Sequence, residues 1–177
     1  ADWGAVFTVT EMVSAKALCF QDKKSRELMR FTENERPCGI QLFGSEPGIM
    51  AKAAKIAAQY QPDFIDINMG CPVPKVAGNG CGSALMRNPG LAGEMVRAVA
   101  TAVDLPVSVK IRKGWDNDNL NAVEIALIAQ ENGAAAVAVH GRTKAQGYGG
   151  EADKEIIRQV REALSIPVIA NGGIMKA

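Results

Sequence analysis

Histidine is almost absent from this chain: His140 is the single imidazole in 177 residues. The four cysteines, Cys19, Cys38, Cys71 and Cys81, contain no C-x-x-C pair. A structural zinc centre draws four ligands from closely spaced Cys and His, and a disulfide scaffold needs a short, cysteine-dense chain. Both are disfavoured, no metal is expected, and a reducing cytoplasm is the expected setting. Neither sign of charge is in excess, with 20 Lys and Arg against 19 Asp and Glu. Any site for a polyanion must therefore be a local cluster. No apolar run approaches the about 20 residues of a membrane span, and Ala1-Asp2-Trp3-Gly4 lacks the basic-then-apolar pattern of a leader. No Ser-, Pro- or Gly-rich linker divides the chain, so a single domain is expected, and 47% hydrophobic content suffices for its core.

What is present is repetition. Short β-branched runs at 39–43, 64–68, 107–111, 135–140 and 168–171, with a weaker one at 6–10, are each followed by Gly, Asn or charge and then by apolar residues at helical spacing. Ile49, Ala53, Ile56, Ala57 and Tyr60 form one helical face; Leu91, Met95, Val99 and Val103 form a second; Ile156, Ile157, Val160 and Leu164 a third. Ser45 and Asn88-Pro89 are the expected caps. Continuous apolar strands alternating with helices indicate a parallel sheet. A repeat of roughly 30 to 40 residues suits an α/β TIM (β/α)8 barrel, with a doubly wound sheet as the competing architecture. Polar residues close nearly every strand: Gln41, Asn68, Lys110 with Arg112, His140 with Arg142, and Asn171. Barrels collect function at that face. Only about six of the eight βα units can be found, so the barrel is expected to be incomplete in this chain.

Cys71 is the sharpest candidate for chemistry. It follows the strand Phe64-Ile65-Asp66-Ile67-Asn68 and stands between Gly70 and Pro72, residues expected to set a tight turn and admit a ligand close to the backbone. Cys19 and Cys38 read as small buried hydrophobes, and Cys81 as a small residue filling Gly78-Asn79-Gly80-Cys81-Gly82. Lys110 puts an ammonium at the end of a buried strand, where it can snorkel or neutralise an anionic ring. His140, before Gly141-Arg142, is either a satisfied core residue or a ligand contact. The Gln41 amide can pair with a heterocycle's imide edge or make a buried structural bond. Asn171-Gly172-Gly173 opens backbone N–H groups after a late strand, a frequent phosphate site, though a plain turn has the same signature. Lys75, Arg87, Arg112, Lys113, Arg142 and Lys144 fall beyond strand ends and point to a phosphate-rich ligand on that side.

Taken in order, Asp66-Ile67-Asn68-Met69-Gly70-Cys71-Pro72, Asn79-Gly80-Cys81-Gly82-Ser83-Ala84-Leu85-Met86, Val109-Lys110-Ile111-Arg112, His140-Gly141-Arg142 and Asn171-Gly172-Gly173 resemble the tRNA-dihydrouridine synthases. The run Pro72-Val73-Pro74-Lys75-Val76 resembles their bacterial B-type branch most. The resemblance implies an FMN enzyme, monomeric in its full-length parent and reduced by NADPH, which reduces the C5=C6 bond of particular uridines in tRNA. It implies hydride delivery to C6, with Cys71 as the general acid protonating C5. Asn68, Arg112 and Arg142 would hold the substrate. Gln41, Lys110 and His140 would contact the flavin, and Asn171, Gly172 and Gly173 its phosphate.

The resemblance also sets expectations about extent. The family's first strand with its Pro-Met-Ala-Gly-like flavin loop, a second phosphate-binding Gly and Arg, and a C-terminal helical RNA-binding domain find no counterpart here, so residues 1–177 are expected to be the central part of the barrel domain. Cys81 stands where a smaller residue is usual. Two further readings stay open: a flavin barrel acting on a free pyrimidine such as dihydroorotate, and a fragment with no activity of its own.

Overall fold

The computed structural model describes residues 4–173. In chain order the elements are β1 (Thr8–Val9), β2 (Val13–Ser14), α1 (Ala15–Cys19), α2 (Lys23–Glu27), β3 (Cys38–Phe43), α3 (Pro47–Ala58), β4 (Phe64–Met69) and α4 (Pro74–Ala77). There follow α5 (Pro89–Ala100), β5 (Val107–Arg112), β6 (Gly114–Asp116), β7 (Asn119–Leu120), α6 (Ala122–Glu131), β8 (Ala136–His140), α7 (Lys154–Ala163) and β9 (Val168–Asn171). Short 3-10 turns occupy Glu33–Glu35 and Gly82–Arg87.

The main sheet is wholly parallel, in the order β1-β3-β4-β5-β8-β9, with β2 also pairing β3. Strand order follows chain order with no reversal. A doubly wound sheet would reverse at a switch point. Successive helices pack on one another in a single layer, α1 on α3, α3 on α5, α5 on α6 and α6 on α7. The sheet is thus an open arc of a (β/α)8 barrel. Every second strand residue faces the helices: Ile40, Leu42, Ile65, Ile67, Val109, Ile111, Val137 and Val139 are all buried in the shared core.

The five clear runs become strands within a residue of their expected ends. The weak run at 6–10 contributes only Thr8–Val9, and the pairing with β3 resumes at β2. Asn88 caps α5, its side chain accepting from the Leu91 N–H at 3.1 Å. Ser45 does not cap α3. The N-cap there is Glu46, with no side-chain bond, and Pro47 at N1 removes one of the N–H groups a cap would serve. The α3 face is also rotated from expectation: Met50, Ala53, Ala54 and Ala57 are buried, while Ile49, Ile56 and Tyr60 are only partly covered. Met50 seats against Gly44, where an added Cβ would lie 2.9 Å from its sulfur. Helix α6 escapes the periodicity because apolar residues surround it. Ala122, Ile125, Ala126 and Ala129 are buried while Val123 and Leu127 still pack on the core. No helix among the described residues is long and apolar enough to cross a membrane.

Register sets the inner face. Gln41 lies beside Asp66 and Asp66 beside Ser108; one step up, Asn68 lies beside Lys110; at the rim, Arg112 lies beside His140 and His140 beside Asn171. Gln41, Asp66, Ser108, Lys110 and Asn171 thereby line a lumen of about 620 Å³, with Asn68, Arg112 and His140 in the cleft beyond it.

Candidate active site

Above the lumen, at the carboxyl ends of the strands, lies a cleft of about 450 Å³. Its walls bring together Gln41, Asn68, Cys71, Lys110, Arg112, His140, Arg142, Asn171, Gly172 and Gly173, but not Lys75, Arg87, Lys113 or Lys144. Met12 and Tyr148 complete the rim.

Cys71 is pinned on both sides. The Asn68 side-chain oxygen accepts from the Gly70 N–H at 3.1 Å and from the Cys71 N–H at 2.9 Å. The Cys71 carbonyl accepts from the Ser83 N–H at 3.1 Å. The glycine this turn requires is not Gly70, whose added Cβ would meet only ordinary contacts at 3.5 Å. It is Gly82, with φ +58°, where a Cβ would come within 2.9 Å of the Cys71 carbonyl oxygen. The half-exposed thiol is thus carried on a rigid loop. Cys38 and Cys81 are buried, and burial pushes both thiols up, away from the reactive thiolate. Cys19 is partly covered, packed against the core on α1.

The Gln41 amide is engaged within the protein. Its nitrogen donates to Asp66 at 2.6 Å and its oxygen accepts from Asn68 Nδ2 at 2.8 Å, leaving one N–H and one lone pair for a ligand. Lys110 Nζ donates to Asn171 Oδ1 at 3.1 Å. Burial pulls the ammonium below its usual range, Asp66 opposes that, and Arg112 adds to it. Gly172 and Gly173 both have positive φ. A Cβ on Gly172 would come within 2.3 Å of the His140 ring, and one on Gly173 within 3.2 Å of Arg142 Nη2. The double glycine therefore lets the His140 ring and the Arg142 guanidinium pack directly against its backbone at the edge of the cleft.

His140 is 6% exposed, with its Nε2 3.1 Å from Arg142 Nη1. A guanidinium can only donate, so Nε2 accepts and the ring proton sits on Nδ1. Burial first, then Arg112, Lys110 and Arg142, push its pKa down to about 4. The unfolded chain therefore takes up this proton at higher pH than the folded one, and the stability His140 confers is lost as pH falls from about 6.5 toward about 4. Replacing His140 with Gln should flatten that part of the profile, measured by denaturant unfolding of both proteins across the interval. Parallel profiles would show that the imidazole is not held neutral.

The six basic residues do not act alike. Arg112 is turned inward onto backbone carbonyls, Arg142 donates to the Gly150 carbonyl at 3.0 and 2.7 Å, and Lys113 pairs with Asp153 at 3.5 Å. Arg87 and Lys144 lie over the Trp115 ring at 4.8 and 4.5 Å. Lys75 lines a separate groove with Lys16 and Glu46. The sequence reading missed Tyr148, 78% exposed, whose ring stands 5.6 Å from Arg112 and 6.4 Å from His140. Its signal was a lone aromatic among glycines at 147, 149 and 150. Among the described residues, no group of three or more His, Cys, Asp or Glu could hold a metal ion.

Fold and cleft together define a (β/α)8-barrel protein whose polar and nucleophilic groups gather at the carboxyl ends of its strands. A lactate oxidase from Pediococcus acidilactici shares the fold, at TM-score 0.51 and 22% identity, over 77% of this chain and 42% of that one. The family model for dihydrouridine synthase (Dus) matches residues 2–177, and the chain belongs to that family. It is 44% identical over 171 residues to tRNA-dihydrouridine synthase B of Pseudomonas aeruginosa, and 46% identical over 172 residues to that of Vibrio parahaemolyticus. These alignments cover 97% of this chain and 52% and 53% of the relatives. A probable tRNA-dihydrouridine synthase of Rhizobium leguminosarum is 47% identical over 175 residues, 99% of this chain and 55% of that protein. The chain thus spans about half the length of the curated relatives it matches.

Proposed function

We propose that the full-length protein containing this chain reduces uridines in tRNA to 5,6-dihydrouridine, with resident FMN and NADPH as reductant. The observation that carries the reading is the convergence, in one cleft, of a partly exposed thiol held on a hydrogen-bonded turn, a half-buried lysine and the double glycine beside Arg142. The residues fit the cofactor. Gly172 and Gly173 line the cleft with Arg142 beside them and would present backbone N–H groups to its phosphate, and Lys110 and the free edge of Gln41 would partner an imide-bearing ring. Bound there, FMN would supply the hydride that reaches C6 of the uracil.

This chain's own groups do the rest. Cys71 holds the proton that C5 takes up, and the bonds from Asn68 and Ser83 keep its thiol in place for the transfer. The remaining Asn68 N–H orients the uracil. Arg142, beside Gly173, serves the phosphate in this reading rather than the substrate. A stacked base cannot bring C5 and C6 against the cleft wall, so the uridine must leave its stack, which favours loop nucleotides. Lys144 and Arg87, presented on Trp115, face the tRNA backbone. The cytoplasm, where tRNA and a reducing thiol environment coincide, is the proposed location, and a monomer the proposed state.

The test is to purify the full-length protein, remove free flavin by gel filtration, and supply NADPH with unmodified tRNA. Retained FMN absorbance and dihydrouridine that disappears when the tRNA is first digested with ribonuclease are expected. Ribonuclease-resistant turnover of dihydroorotate would replace the substrate, and a colourless protein would overturn the cofactor.

A further inference from the structure

Asp66 is a carboxylate 4% exposed, sunk in the lumen beneath the cleft, and no step above uses it. Its surroundings settle the polarity of a hydrogen-bond chain that ends at the active thiol's turn. The Gly70 and Cys71 backbone N–H groups can only donate. Asn68 must therefore turn its oxygen toward them, which sends Nδ2 the other way, onto Gln41 Oε1. Gln41, its oxygen taken, is left with Nε2 pointing into the lumen, a buried donor in need of an acceptor. Asp66 Oδ2 receives it at 2.6 Å, and Ser108 Oγ donates to Oδ1 at 2.5 Å.

We propose that Asp66 is a positioning residue: as the terminal acceptor it locks the amide orientations of Gln41 and Asn68 that the backbone N–H groups demand, and thereby holds the turn that carries Cys71. Strand register makes the arrangement possible, since Gln41, Asp66 and Ser108 are neighbours across β3, β4 and β5. Burial pushes the carboxyl above its usual range, against the pull of Ser108, Gln41 and Lys110. The chain is indifferent to that titration. A proton taken up sits on Oδ1, where the Ser108 hydroxyl can turn to accept it, and Oδ2 remains an acceptor for Gln41. With an apolar side chain at this position, Gln41 either keeps its orientation and leaves Nε2 without an acceptor, or flips and faces Asn68 Nδ2 with a second NH2. The consequence for turnover rests on the proposed role of Cys71; the consequence for the turn does not.

The experiment compares Asp66→Leu with Asp66→Asn in the full-length protein. Asn keeps one oxygen for Gln41 while Ser108 accepts from its NH2. Two readouts need neither flavin nor tRNA: hydrogen exchange at the 70–71 amides, and iodoacetamide alkylation of Cys71 followed by peptide mass. In Asp66→Leu, protection at 70–71 should fall and Cys71 alkylation should rise by about tenfold, the size of one lost hydrogen bond. Asp66→Asn should stay within about threefold of the parent, as an equivalent acceptor predicts. A folded Asp66→Leu protein with parental exchange and alkylation would overturn the proposal, as would Asp66→Asn failing as badly as Asp66→Leu. If Asp66→Leu does not fold, the paired exchange Gln41→Glu with Asp66→Asn moves the carboxylate one link along and keeps every donor matched. It should restore the 70–71 protection that Gln41→Glu alone loses by setting two carboxylates together; no restoration sinks the idea. Because these readouts follow the turn and not the product, a protein inactive on tRNA would still decide the role of Asp66.

Discussion

Replacing Cys71 with alanine should lower uridine reduction by about two to four orders of magnitude, the usual worth of a positioned general acid, while FMN stays bound. The expectation separates two jobs that share one cleft. The phosphate site proposed at Gly172 and Gly173 and the lysine near the end of β5 belong to other strands than the thiol, so removing Sγ leaves them intact. The turn itself is held by backbone bonds to Asn68 and Ser83, which alanine preserves. The loss should thus fall on the rate of product formation in a single turnover started with pre-reduced enzyme, with tRNA affinity unchanged. Serine at the same position should rescue little, because a hydroxyl is far less acidic than a thiol. Unchanged single-turnover rates in Cys71→Ala would remove the thiol from the chemistry and leave Cys71 as a wall of the cleft.

Much of this site could be read from the chain because its residues follow apolar runs. Gln41, Asn68, Lys110, His140 and Asn171 each close a strand whose β-branched core residues mark it, and parallel pairing then stacks them without further instruction. What pairs with what was not legible. Gly70 looked like the residue the cysteine turn needs, whereas the constraint comes from Gly82, twelve positions later and brought close by the 3-10 turn. Asp66 passed as an unremarked letter inside a strand, since its meaning depends on Gln41 and Ser108, distant in sequence. The antiparallel pair β6 and β7 was also overlooked, although Asp116-Asn117-Asp118-Asn119 is a dense turn signal. That hairpin sets Trp115 under Arg87 and Lys144, which turns two loop cations into one patch.

Arg112 shows the same limit most sharply, and it carries the second large effect. Read from sequence it is one of several cations beyond a strand end, available to a phosphate or a base. Folded, it is 2% exposed: Nε donates to the Gly70 carbonyl at 2.7 Å, and Nη1 to the carbonyls of Thr143 and Gly147 at 3.0 and 2.7 Å. One side chain therefore ties the cysteine turn after β4 to the loop after β8 that presents Tyr148. Replacement by Met keeps the apolar stem but strands three carbonyls that water reaches poorly. At about 1 to 3 kcal/mol for each buried acceptor left unpaired, and some relaxation at the cleft, Arg112→Met should cost about 3 to 5 kcal/mol, read as a fall in the denaturant midpoint at constant slope. Arg112→Lys should recover only part of this, because one ammonium cannot reach carbonyls on both loops along the guanidinium's fixed fork. In the lysine variant the turn loosens while the proposed phosphate site stays, so turnover should fall more than tRNA or flavin affinity. An unshifted midpoint in Arg112→Met, with weakened tRNA binding, would mean that the carbonyl bonds are dispensable and that Arg112 belongs to the substrate after all.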